Sequence, residues 1–210
     1  MIRRVRTEIL WSGPDAAAQA TALVRNMLVA GAQAYLWRGD AALGEYRSRR
    51  RPVALADELR ALIDASPFLT AYAPELRRYL EAFPFAELSG GENILYWSKE
   101  TFNLKPIISL THTAIHTATR GGTSMTLVAS KGLYASHYLD GSLSLTVVLD
   151  AGTTGNAVDL VYVNRTRVDA LDGAFGGLRR WIVERRVRGA LEETLADVKA
   201  RLEAAYLAER

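Results

Sequence analysis

At Gly90-Gly91 the apolar spacing of this chain changes from the three-to-four period of helices to the alternation of strands, which then persists to Asn164. One long amphipathic segment follows. A sheet succeeded by a single long helix must hide one sheet face under another layer, since neither element can bury its apolar side alone. The order predicts an α+β fold. Its parts are an N-terminal helical segment, an antiparallel sheet of five to six strands, and a long C-terminal helix gripped by that sheet.

Upstream of the switch, Ser12-Gly13-Pro14-Asp15 carries capping and first-turn residues, and Leu23, Val24, Met27, Leu28, Ala34 and Tyr35 recur at helical spacing to about Trp37. A second helix is predicted from about Ala54 to Ala65, ended by Ser66-Pro67, and a third from Pro74 to Phe83. The strands are predicted over Ile94 to Thr101, Ile107 to Ala118, Met125 to Leu139, Leu143 to Leu149 and Val158 to Asn164, with a strong turn signal at Asp140-Gly141. Arg3 to Trp11 alternates weakly and would supply a sixth strand. The closing helix is predicted from about Phe175 to Ala208, with Val187, Leu191, Leu195, Val198, Leu202 and Ala205 in one stripe. At ~1.5 Å per residue it would run roughly 50 Å. Its glycine-rich first half would kink or fray.

With 210 residues and no linker-like tract, the chain reads as a single domain with a substantial core. The absence of cysteine excludes disulfides and thiolate metal sites. No stretch reaches the ~20 apolar residues of a membrane span. The N-terminus lacks the apolar region of a signal peptide, so the sequence as written predicts a cytoplasmic protein, or a periplasmic one if the chain is a mature or truncated form of an exported protein.

The strings LYWSKE, SLTHTAIH, YASHYLDGSL and LVYVNRTRVDAL, with the closing GGLRRWIVERRVRGALEETLADVKARL, resemble a bacterial family of the helix-grip, or START and Bet v1-like, superfamily. The likeness covers about residues 7 to 208 and rests on element order more than on any short motif. It implies binding or carriage of a lipid or other small hydrophobic ligand between sheet and C-terminal helix. No cofactor and no metal are expected. Members of that superfamily begin with a strand, and only Arg3 to Trp11 could provide it here. Without that strand the domain would be N-terminally incomplete.

The residues expected to line such a cavity are His112, His116, Lys131, Tyr134, His137, Leu143, Leu145, Val147, Asn164 and Trp181, with the residues opposite the leucines as the alternative wall. His112 and His116 form HxxxH, but on a strand they stand about 13 Å apart, too far to share one metal. They are read as polar groups satisfied within the sheet or lining a cavity. Ser136, His137 and Asp140 lack the convergence and the GxSxG elbow of a hydrolase. An alternative reading is a cyclase- or hydrolase-type enzyme with His112 or His137 as general base and Tyr134 or Tyr138 orienting substrate. A third reading uses Arg47, Arg49, Arg50 and Arg51 with Arg179, Arg180, Arg185, Arg186 and Arg188 to dock on an anionic membrane. Nucleic acid is disfavoured, because the net charge is only +3 and no recognition motif appears.

Overall fold

The computed structural model describes residues 13–46, 52–102, 105–120, 122–136, 139–150, 158–168, 192, 195–201, 203–205 and 208. Helix α1, Ala16–Arg38, is followed by a 3-10 turn at Gly39–Ala42. Two short strands, β1 (Glu45–Tyr46) and β2 (Val53–Ala54), pair antiparallel and lead into α2, Leu55–Asp64. Helices α3 (Pro67–Tyr72) and α4 (Pro74–Ala82) complete the helical segment. Strands β3 (Glu92–Phe102), β4 (Lys105–Arg120), β5 (Thr123–Ala135), β6 (Leu139–Asp150) and β7 (Val158–Val168) then form a five-stranded sheet in sequential order. The fold is α+β, as the change of period requires.

Two local differences from the sequence reading have physical causes. Pro67 begins a helix instead of merely ending one: it occupies the first turn of α3, where its missing N–H costs nothing. Six residues are too few for periodicity to reveal. Asp140-Gly141 lies inside β6, not in a turn, and the strand expected to reach Leu139 ends at Ala135. At Gly141 a side chain would begin 3.3 Å from Glu58 Cβ, so this glycine lets α2 approach the sheet.

One face of the sheet carries the core. Leu110 and Ala114 of β4, Met125, Leu127, Ala129 and Leu133 of β5, and Leu143, Leu145 and Val147 of β6 are buried in one cluster. The same cluster holds Leu28 and Tyr35 of α1, Leu55, Leu59, Leu62 and Ile63 of α2, Leu69 of α3, and Leu76, Tyr79 and Leu80 of α4. Burying each such leucine contributes roughly 1.5–3 kcal/mol. The layer covering this face is therefore the N-terminal helices. The expectation that Leu143, Leu145 and Val147 face a ligand is corrected: these side chains are packed against α2 and its neighbours.

Arg77 ties three helices together, donating from Nε to Glu81 Oε1 at 2.8 Å within α4 and from its terminal nitrogens to Thr70 of α3 and Asp64 of α2. Its side chain is half-buried, so the network counts for more than an isolated surface pair. Arg77→Ala is expected to lower unfolding free energy by about 1 kcal/mol in urea denaturation. No change would show the three bonds to be exchangeable with water.

Residues Val168–Arg210 form a second compact unit. Among its described residues, 192, 195–201, 203–205 and 208 are helical. Arg201 pairs with Asp197 at 2.9 Å and Lys199 with Glu203 at 3.8 Å, both one turn apart. The long helix predicted from Phe175 is not seen: the described helix is short, and residues 175–191, including Trp181 and all five arginines of the second cluster, lie outside the described residues. So do the doubtful strand Arg3 to Trp11, the cluster Arg47 to Arg51, and His137 with Tyr138. No helix among the described residues is long and apolar enough to cross a membrane.

Candidate functional site

Alternation along β4 turns His112 and His116 toward the helices, where both are buried. His112 sits at the centre of a polar network enclosed by aromatic rings. Its Nδ1 is 2.9 Å from the Tyr35 hydroxyl, and its Nε2 is 2.8 Å from Asn93 Oδ1. The Tyr79 hydroxyl donates to that same oxygen at 2.7 Å. Since Asn93 Oδ1 can only accept, His112 carries its proton on Nε2, and its bare Nδ1 accepts from Tyr35. Phe83 lies against the imidazole with ring centroids 4.5 Å apart. Burial, with help from the nearby Lys131 charge, pushes His112 down to about 4, so the ring is neutral at physiological pH. Burial also raises the phenols of Tyr35 and Tyr79, which therefore stay protonated donors.

Lys131, on the same face of β5, is 0% exposed. Its ammonium donates to Asp40 Oδ1 and to the Leu80 carbonyl oxygen, both at 2.7 Å. Burial pulls its pKa down and Asp40 pulls it back up. Asp40 is delivered by the turn after α1. There Gly39, at φ +57°, presses against the Phe83 carbonyl so closely that a side chain could not be accommodated. Both predicted residues, His112 and Lys131, are thus clamped inside the core. With both ring nitrogens engaged and no exposed surface, His112 has no access to a substrate as a general base.

His116 keeps a different partner, with Nε2 3.9 Å from Glu75 Oε2. Glu75 lines an open cleft of about 550 Å³ together with Arg78 and Tyr79 of α4, Ala86 to Ser89, and Asn93 of β3. The cleft reaches the buried network through Tyr79 and Asn93. No group of three or more His, Asp or Glu side chains that could hold a metal ion occurs among the described residues.

The second face of the sheet has another character. Thr113 bonds Ser130 at 2.8 Å, Ser98 bonds Ser109 at 2.8 Å and Thr117 bonds Thr126 at 3.3 Å, so hydroxyls ladder across neighbouring strands. From Ser109 to Thr117 on β4, Thr126 to Tyr134 on β5 and Ser142 to Val148 on β6, the residues of this face include no charged group. Ile115, Val128 and Val148 supply its apolar area, and at the edge Ile94 and Tyr96 are 47% and 44% exposed. Beside the register shift at Leu110/Thr111, a depression of about 150 Å³ is lined by Thr111, Gly132, Tyr134 and Ser142, with the carboxylate-bearing Glu100 of β3 at its edge. Tyr134, expected to line a cavity, is among the residues around this depression. Asn164, on β7, is exposed and accepts from Thr166 Oγ1 at 2.8 Å, apart from that depression. His137 and Trp181 lie outside the described residues.

The sequence reading missed Tyr35, Asp40, Tyr79 and Asn93. Tyr35 is 77 residues from His112 and Asp40 is 91 from Lys131, so no local pattern could have paired them. Comparison with protein-family models, curated proteins and solved structures finds no match for the chain.

Proposed function

We infer that the protein binds or carries a lipid or other small hydrophobic ligand on the second face of its sheet. The observation that supports this reading is the charge-free, hydroxyl-laddered surface spanning β4 to β6. A sheet face meant only for water normally alternates in Lys, Glu or Arg. Ligand sites instead combine apolar area with a few fixed polar groups. The depression beside Tyr134 supplies a starting point for such a ligand.

The test is mass spectrometry of the purified protein under native conditions, followed by solvent extraction. A copurifying apolar molecule is expected in the wild type, and its loss in Val128→Lys, which sets a charge in the middle of the face without touching the helical core. A well-folded wild-type sample carrying no such molecule would overturn the reading.

A further inference from the structure

The cleft between α4 and the start of β3 has a chemistry that hydrophobic ligand binding does not use. Asn93 Oδ1 receives two hydrogen bonds from the core side, one from Tyr79 and one from His112. An amide held by its oxygen in this way presents its nitrogen, with two N–H donors, on the opposite side. That nitrogen has no partner among the described residues, and Asn93 lines the cleft. Arg78 lines it too, and among the described residues its guanidinium forms no ion pair although Glu75 and Glu87 border the same space. A fixed amide donor and an unpaired guanidinium on the walls of one cleft are the groups that receive a carboxylate. Two carboxylates on the same walls are acceptors for an ammonium group.

We propose that this cleft binds a small zwitterion of the amino-acid class, its carboxylate held by Asn93 and Arg78 and its ammonium by Glu75 and Glu87. The cleft, at about 550 Å³, falls within the usual range of small-molecule sites. Preorganisation comes from the core: the Tyr79 and His112 bonds fix the amide before any ligand arrives, so its ordering adds no cost on binding. The site is separate from the sheet face proposed above, and either assignment can fail alone.

The decisive variant is Asn93→Asp. It keeps an inward oxygen for Tyr79 and His112 but replaces the outward donor with a negative charge. The full chain would be titrated calorimetrically with each of the twenty amino acids, and the best binder retested as its amide and as its N-acetyl derivative. The expected result is saturable binding of at least one free amino acid, weakened about tenfold or more by Asn93→Asp and by Arg78→Gln, the latter with thermal unfolding little changed. The amide and the N-acetyl derivative should each bind more weakly than the parent. Absence of binding by all twenty at millimolar concentration would overturn the proposal. So would binding that both variants leave unchanged.

Discussion

Asp40→Ala is expected to cost about 3–5 kcal/mol of unfolding free energy, the range seen when one partner of a buried ion pair is removed. The asymmetry of the pair gives this expectation its force. Lys131 is 0% exposed at its side chain, whereas Asp40 is 21% exposed. Deleting the aspartate leaves the ammonium in the core with the Leu80 carbonyl oxygen as its remaining hydrogen-bond acceptor, near the Tyr35 ring and with the Glu81 charge acting on it. Deleting the lysine instead, as Lys131→Met, leaves a carboxylate that reaches water and fills the vacated space with an apolar chain of similar length. Lys131→Met should therefore cost less than Asp40→Ala. Adding Lys131→Met to Asp40→Ala should recover much of the loss. Urea denaturation of the three variants reads all of these terms. Equal costs for the two single variants would mean that the lysine is stabilised by something other than Asp40.

Acid should weaken the protein through His112, by about 3 kcal/mol between pH 7 and pH 4. The folded state holds this imidazole down to about 4, against 6.5 in the unfolded chain. Between those values the unfolded state binds the extra proton, so stability falls as pH falls. The contribution is complete above about pH 6.5 and is lost on approaching pH 4. The groups facing the ring explain why no relief is at hand. Tyr35 comes from α1, Tyr79 from α4, Phe83 from just beyond it, Asn93 from β3 and Lys131 from β5, and none of them is an acid. Asp40, the carboxylate that reaches this core, is engaged by Lys131. Stability measured against pH in the wild type and in His112→Phe isolates the term, because other carboxylates contribute to both. Parallel profiles would remove His112 as the source.

How far the sequence reveals this molecule depends on the range of the interaction concerned. The change of period at Gly90-Gly91 locates the sheet to within a few residues, because alternation is a property of neighbours. Leu143, Leu145 and Val147 declare a buried face just as plainly. Which layer buries it is a tertiary fact, and the helices before the sheet hold that place. Lys131 shows the limit most sharply. Lysine at a strand position is ordinarily a surface residue, and only a carboxylate 91 residues upstream makes its burial tolerable. Asn93 reads as an unremarkable strand-start amide until His112 and Tyr79 close on its oxygen. Asp140-Gly141 carries a turn signal, yet its glycine serves close approach to α2. In each case the decisive partner is distant in the chain.

The sequential order of the sheet also bears on how the molecule comes together in time. Because β3 to β7 each pair with the next strand in the chain, the sheet can grow by closing one hairpin after another, and such short-range pairings form early. The Tyr35–His112 and Lys131–Asp40 bonds close loops of 77 and 91 residues. They can be made only when the helical segment docks on the sheet, and closing loops of that length is slow compared with closing hairpins. They therefore act as a late latch: weakening them should leave the folding rate nearly intact and quicken escape from the native state, so that lifetime, more than assembly, is what this buried polar network controls.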